Sequence, residues 1–184
     1  LPFEFSQLGD FKKIGPYNPV PWIWVRMAEQ LVARYNIPVL LYGSAVGGTR
    51  SSYYSRSARG EDLSNVDPTL LKFNGSPYEV IGRTIRNYAS RTGVRAVLWQ
   101  QGESDNSTHP FDYFDNVKTA IERSRYDAEG NLPWIIAEAS RTPNVFYNVI
   151  VAQQKLANEV PFTYAGPNTD NIAGPGDRVD GIHF

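Results

Sequence analysis

The feature that most constrains how this chain can fold is a repeated alternation of helical and strand-like apolar patterns. Apolar residues recur at helical spacing in several stretches, and each stretch is followed by a short, continuous apolar run. The helical patterns begin near residues 21, 76, 110 and 142, and the predicted strands span residues 38–42, 94–100, 134–139 and 162–165. Helices that alternate with strands predict an α/β fold with a parallel sheet between helices, in which ligands bind beyond the carboxyl ends of the strands.

Local signals indicate where several of these elements begin and end. Ser76 and Glu79 have the spacing of a capping box at the start of the second helix, and Gly93 is predicted to end that helix. Thr142, followed by proline, is predicted to start the last helix. Residues 43–75 are rich in Gly, Ser and Asn and are predicted to form a long connection, and a connection of that length in a compact domain usually carries function.

Composition excludes several classes of protein. The 184 residues include 18 basic and 19 acidic side chains, so the net charge of −1 offers no basic field for a nucleic-acid backbone. No apolar run is long enough to cross a bilayer, and the absence of cysteine excludes disulfides and zinc–thiolate sites. With 41% hydrophobic residues, the chain is expected to form one domain over residues 1–184, with no nucleic-acid partner and no membrane insertion.

Unusual polar and glycine-rich segments follow three of the predicted strands. Gly47 and Gly48 come after the first strand, Gln101 comes directly after the second, and Asp180 and His183 follow the last. An aspartate three positions before a histidine can fix the histidine tautomer and leave its other nitrogen free as a base. A glycine turn and an amide can supply the N–H donors of an oxyanion hole. The sequence therefore predicts acyl-transfer chemistry at one edge of the sheet.

A metal site is another interpretation of these polar residues. Glu103, Asp105, Asp180 and His183 are of the types that bind hard or borderline cations, although one histidine is a sparse ligand set and no metal is predicted. His109, directly before a helix-starting proline, is predicted to be a surface or capping residue rather than a base.

The long connection also contains candidate substrate-binding residues. Arg50 and Tyr53, with the nearby Arg56, Arg59 and Tyr54, are suited to bind a sugar by guanidinium hydrogen bonds and ring stacking. A solvated loop without such a role explains the same residues equally well.

Ser104 is a candidate nucleophile of a different class of enzyme. It lies in Gly102-Glu103-Ser104-Asp105-Asn106, one glycine short of the Gly-x-Ser-x-Gly elbow of α/β-hydrolases. An elbow requires a helix directly after the serine, whereas the next helical pattern begins at Pro110. An esterase that uses Ser104 therefore stays an alternative.

The chain resembles the SGNH, or GDSL-like, hydrolases in three segments. These are Gly47-Gly48-Thr49, Trp99-Gln100-Gln101-Gly102-Glu103-Ser104-Asp105 and Asp180-Gly181-Ile182-His183-Phe184, which are similar to the second, third and fifth sequence blocks of that family. The Gln-Gly-Glu of the third block resembles the branch that contains sialate O-acetylesterases and acetylxylan esterases. The resemblance covers most of the chain.

The resemblance implies a role for each of five residues. His183 would be the catalytic base and Asp180 its orienting partner. The Gly48 N–H and the Gln101 side chain would form part of the oxyanion hole. Glu103 would support the loop that carries the nucleophile.

The same resemblance implies a fold and an activity. The fold would be a flavodoxin-like three-layer α/β/α sandwich, and the activity that of a serine carbohydrate O-acyl esterase, chiefly an O-acetylesterase. The substrate would be an acylated carbohydrate, no cofactor would be needed, and the protein would be secreted or periplasmic.

The chain departs from the family pattern at both ends. The first block, which carries the nucleophilic serine after the first strand, is not recognisable, and neither is the helix that usually follows the histidine. We therefore expect the nucleophile upstream of Leu1, the chain to be part of a longer catalytic domain, and the chain alone to be inactive. A glycan-binding domain that keeps the fold without a nucleophile is the alternative.

Overall fold

A computed structural model describes residues 23–174, 176–178 and 180–182 of the chain. The chain divides into two compact units, one of residues 1–46 with residue 184 and the other of residues 47–183, and each is described by itself. No helix among the described residues is long and apolar enough to cross a membrane.

The described part of the first unit contains one helix. Helix α1, Trp24–Tyr35, ends at Asn36, which has a left-handed conformation (φ 50°) and whose N–H donates to the Val32 carbonyl at 2.8 Å. This confirms the predicted helix. The predicted strand at residues 38–42 is wrong, because no residue between 36 and 46 belongs to a strand. An apolar run indicates burial or extension, but a strand also needs a hydrogen-bonded neighbour, which the run does not reveal.

The second unit contains a small sheet and the remaining helices. Its helices are α2 (Ser51–Ala58), α3 (Pro77–Thr84), α4 (Ser90–Thr92), α5 (Pro110–Asp127) and α6 (Tyr147–Glu159), and its strands are β1 (Val97–Trp99), β2 (Trp134–Glu138) and β3 (Thr163–Asn168). A π-helical turn, Ile85–Ala89, joins α3 to α4. Short 3-10 turns cover Pro68–Phe73, Glu103–Asp105 and Thr169–Asn171.

The three strands form a parallel sheet in the order β1-β2-β3. Trp99 of β1 pairs in register with Ile136 of β2, and both are buried together with Trp134. Helices α2 and α5 contact this apolar face. The Tyr54 ring meets Trp99 edge-on at 5.0 Å, and the Trp134 indole N–H donates to Ser124 Oγ at 3.0 Å. The α/β fold with a parallel sheet, predicted from the alternation of patterns, is confirmed.

The predicted connection at residues 43–75 is not irregular throughout, since it contains α2. Serine is a weak helix former, so the segment Ser51–Ala58 has no helical signature in its sequence. Buried contacts stabilise the helix instead. Ser51 is fully buried, and Ser57 Oγ donates to the Tyr53 carbonyl and accepts from the Tyr78 N–H at 3.1 Å. Tertiary packing thus overrides the local propensity here.

Helix α3 begins as predicted but without the capping box. Pro77 is its first residue and Ser76 its N-cap, yet the Ser76 side chain makes no capping hydrogen bond. Glu79 turns away from the helix start and pairs with Arg86 at 2.7 Å. The ion pair with Arg86 therefore takes the place of the predicted hydrogen bond from the helix start to the Glu79 side chain.

Candidate active site at the carboxyl end of the sheet

The loop that leaves β1 begins with Gln101, whose side-chain amide is hydrogen-bonded on both sides. Its Nε2 donates to the Thr49 carbonyl at 3.1 Å and to Asp105 Oδ2 at 2.6 Å, and its Oε1 accepts from the Tyr113 hydroxyl at 3.2 Å. Both Nε2 hydrogens are therefore directed at acceptors. Because Thr49 follows Gly48, the structure brings together two of the segments that were predicted to share a site.

The glycine turn that precedes α2 leaves a backbone donor available. Gly48 has φ 70°, a conformation that glycine adopts without strain, and the space over its Cα is open. Among the described residues, no acceptor pairs with the Gly48 N–H. This N–H group belongs to the residue directly before Thr49, whose carbonyl contacts the Gln101 amide.

Asp105 is a buried carboxylate that joins this turn to the loop after β1. It is 1% exposed and accepts four hydrogen bonds. The donors are Ser51 N (2.9 Å), Ser51 Oγ (2.7 Å), Gln101 Nε2 (2.6 Å) and Thr108 Oγ1 (2.9 Å). Asp105 therefore links the first residue of α2 with both ends of its own loop.

Gln153 of α6 connects the ends of two strands from inside the core. This 1% exposed amide donates to the Gln101 carbonyl at 3.0 Å and to the Ala139 carbonyl at 2.9 Å, and its oxygen accepts from Ala139 N at 3.0 Å. Tyr113 of α5 donates to the same Gln101 carbonyl at 2.6 Å, and burial raises the pKa of this tyrosine, which keeps it protonated. The backbone of Gln101 is consequently held from two helices.

Gly102 occupies a position that is too narrow for any side chain. A Cβ atom there would lie 1.8 Å from the Ala139 carbonyl oxygen, 2.8 Å from Gln153 Nε2 and 2.9 Å from Val149 Cγ1. The glycine is therefore required by the close approach of the β1 loop to the end of β2.

The loop after β2 is held by a second buried carboxylate. Asp170, 2% exposed, accepts from Ser140 N, from Ser140 Oγ at 2.6 Å and from Arg141 N at 3.0 Å. Ser140 Oγ in turn accepts from Phe146 N at 2.9 Å. These bonds fix the loop in a turn, so α6 begins at Tyr147 and the helix start predicted at Thr142 is wrong.

The loop after β3 carries Asp180. Its Oδ1 accepts from the Ile182 N–H at 2.9 Å, and the Gly181 N–H donates to the Arg178 carbonyl at 3.0 Å. The Arg178 guanidinium donates to carbonyls at both ends of this loop, those of Thr169 and Ile182. His183 lies outside the described residues, so its predicted pairing with Asp180 stays a prediction.

A protein-family model matches residues 16–184 of the chain. The matching family is described as a carbohydrate esterase, sialic acid-specific acetylesterase. The chain belongs to this carbohydrate esterase family. Comparisons with curated proteins and with solved structures found no match. The family confirms the resemblance to sialate O-acetylesterases, and it supports an ester hydrolase that acts on acetylated carbohydrate.

The other predicted site residues of this carbohydrate esterase lie in or beside the same loops. Glu103 accepts from the Gly102 N–H at 3.0 Å, within its own turn. Ser104 lies in a 3-10 turn rather than at the start of a helix, since α5 begins only at Pro110. Arg50 is the exposed N-cap of α2, and Tyr53 lies in its first turn.

Metal ligation finds no support in the described part of the esterase chain. No three histidine, aspartate or glutamate side chains among the described residues are grouped closely enough to hold an ion. His109 caps α5, because its Nδ1 accepts from Phe111 N at 3.3 Å, as its position before proline predicts.

Three residues that organise the site were not identified from the sequence. Gln153 and Tyr113 occupy helix positions that the apolar periodicity assigns to the core, and Asp170 lies in a polar loop without a motif. The one available signal was Gln153, a glutamine among the buried positions of a helix, because a buried amide needs hydrogen-bond partners. The sequence of the helix does not reveal which residues those partners are.

We expect Gln153→Glu to make the free energy of unfolding of this esterase chain depend on pH. One carboxylate oxygen still accepts from Ala139 N, but the other replaces Nε2 and faces the carbonyls of Ala139 and Gln101. The pKa of the introduced glutamate is therefore raised above about 4.3 in the folded state. Relative to wild type, stability is then retained below about pH 4 and falls by about 1.4 kcal/mol per pH unit up to the folded-state pKa.

Urea unfolding at a series of pH values checks this expectation. Gln153→Leu is the control. It removes the same hydrogen bonds but introduces no titratable group, so its loss of stability should not depend on pH. If Gln153→Glu also differs from wild type by a constant amount, the two carbonyls do not face the introduced oxygen.

Proposed function

We propose that this chain provides the base and the oxyanion hole of a serine carbohydrate O-acetylesterase. The observation that carries the proposal is the meeting of the Gly48 turn with the Gln101 amide at the end of the sheet, in a chain of a carbohydrate esterase family. The Gly48 N–H and the Gln101 amide, once the amide leaves the Thr49 carbonyl, are proposed to donate to the oxygen that becomes negatively charged during acyl transfer.

The proposed reaction proceeds through an acyl-enzyme. His183 takes the proton of a serine hydroxyl while Asp180 orients the imidazole, and the serine oxygen attacks the acetyl carbonyl. The negative charge that develops on the carbonyl oxygen is stabilised by the Gly48 N–H and the Gln101 amide. Collapse of this intermediate expels the sugar oxygen, which receives the proton from His183. Water, deprotonated by His183, then releases acetate and restores the serine.

The nucleophile is proposed to be a serine outside the described residues. Two buried serines of the site have hydroxyls that donate to carboxylates, Ser51 to Asp105 and Ser140 to Asp170, which does not suit attack on a substrate. Ser104 lacks the helix that an elbow nucleophile needs.

Further parts of the proposal concern the sugar and the compartment. Arg50 and Tyr53, at the start of α2 beside the Gly48 turn, are proposed to contact the carbohydrate. Family resemblance favours a secreted or periplasmic protein.

Acetate release tests this proposal. We expect the intact protein that contains this chain to release acetate from O-acetylated sialic acid or acetylated xylan, and a fluorophosphonate probe to label one serine. N-acetylated sugars are the control, because an amide is the harder bond to cleave. If labelling disappears in Ser104→Ala, Ser104 is the nucleophile. Binding of the sugars without labelling or acetate release would indicate a glycan-binding domain.

A further inference from the structure

We propose that Asp105 is a positioning residue that sets the geometry of the oxyanion hole. It would do so by holding the Gln101 amide and the Gly48 turn in one fixed relation. The inference rests on the proposed function, and it extends that function to a residue that does not touch the substrate.

One oxygen atom of Asp105 connects the two donor segments. Its Oδ2 accepts from Gln101 Nε2 at 2.6 Å and from Ser51 N at 2.9 Å, and Ser51 is three residues beyond Gly48. A second bond, from Ser51 Oγ to Oδ1 at 2.7 Å, fixes the same contact from the other oxygen. Since Asp105 is 1% exposed, water cannot readily replace these bonds if one segment shifts.

The two hydrogen bonds of the Gln101 Nε2 are unequal, and this decides which hydrogen can reach a substrate. The bond to Asp105 is 2.6 Å long, whereas the bond to the Thr49 carbonyl is 3.1 Å long. A length of 2.6 Å is at the short end of the range for N–H···O hydrogen bonds, and 3.1 Å is near its long end. The Asp105 bond therefore fixes the amide rotamer, and an oxyanion has to displace only the weaker acceptor, Thr49.

Two substitutions of Asp105 separate positioning from charge. Asp105→Ala removes the connection, and kcat for acetate release should fall about 10²-fold with little change in KM, since small displacements of a donor cost that much. In Asp105→Asn, the amide oxygen can take the place of Oδ2, while the amide nitrogen donates to the hydroxyls of Ser51 and Thr108, which accept as well as donate. Asp105→Asn should therefore keep kcat within about threefold of wild type.

The experiment is carried out on the intact protein with one control and one readout that is independent of activity. Thr108→Ala removes a hydrogen bond to the same carboxylate without touching Gln101 or the Gly48 turn, and it should leave kcat within about twofold of wild type. Gln101→Ala gives the full loss of the donor, roughly 10²–10³-fold in kcat. In nitrogen-15 NMR spectra, one side-chain amide proton of Gln101 should be protected from exchange in wild type and Asp105→Asn, and unprotected in Asp105→Ala.

Two results would overturn the proposal. The first is an Asp105→Asn variant that folds like wild type and loses kcat about 10²-fold, because charge rather than geometry would then be required. The second is an Asp105→Ala variant with the kcat and the Gln101 amide spectrum of wild type. If the wild-type protein releases no acetate, the proposed function fails, and the amide spectra alone decide for or against the positioning role.

Discussion

Replacement of His183 by alanine in the intact esterase should lower kcat for acetate release by roughly 10⁴–10⁶-fold, as loss of a triad histidine does in serine hydrolases. Without the imidazole, no group takes the proton of the nucleophilic serine, so labelling by a fluorophosphonate should also disappear. KM should change little, because the proposed role of His183 is at the reacting atoms rather than at the sugar. Steady-state kinetics with an O-acetylated sugar measure both quantities.

His109, the other histidine of the chain, provides a matched control for this substitution. His109 caps α5 at the N-terminus, so His109→Ala should cost up to about 1 kcal/mol of stability and leave kcat unchanged. The wild-type rate should fall at acid pH, where a histidine base becomes protonated. A His183→Ala variant that retains a tenth of wild-type kcat would remove His183 from the role of base.

Gly102→Ala should destabilise the fold by about 3 kcal/mol or more, which is large for the addition of one methyl group. The new Cβ would lie 1.8 Å from the Ala139 carbonyl oxygen, so the β1 loop has to move away from the end of β2. That movement also breaks the hydrogen bonds of Gln153 to the carbonyls of Gln101 and Ala139. For a chain of this length the melting temperature should fall by about 6–12 °C.

Gly47→Ala is the control for this prediction. A Cβ at Gly47 meets no atom within 4 Å, and its φ lies outside the left-handed region. The same substitution there should change stability by less than about 0.5 kcal/mol. Thermal unfolding followed by circular dichroism compares the two variants. Equal melting temperatures for Gly102→Ala and wild type would mean that the β1 loop does not pack against Ala139 as described.

The helices and strands that depend on local sequence patterns were predictable from the sequence. The helix from Pro110 has clear helical periodicity, the strands around Trp99 and Trp134 are continuous apolar runs, and the structure confirms all three. The parts that depend on distant partners were not predictable. Helix α2 consists largely of serine and tyrosine and is stabilised by burial, while residues 38–42 look like a strand but form none.

The same distinction applies to the candidate site. Gln101 and Gly48 could be singled out because an amide and a glycine turn after strands are unusual, and the structure places their segments in contact. The residues that hold Gln101 and Gly48 in place could not be singled out. The sequence around a buried aspartate such as Asp105, or a helical glutamine such as Gln153, does not reveal whether its hydrogen-bond partners are distant or local.

The hydrogen bonds that organise this edge of the sheet also bear on the order in which the chain folds. Asp105 and Ser51 are 54 positions apart, and Gln153 and Gln101 are 52 positions apart. Contacts of that sequence separation form late, after the intervening chain has been ordered. No partly folded form with only the β1–β2 pair can therefore contain the geometry of the proposed oxyanion hole. During refolding of the intact protein, the proposed esterase activity should appear together with the docking of α2 and α6, later than the first helical signal.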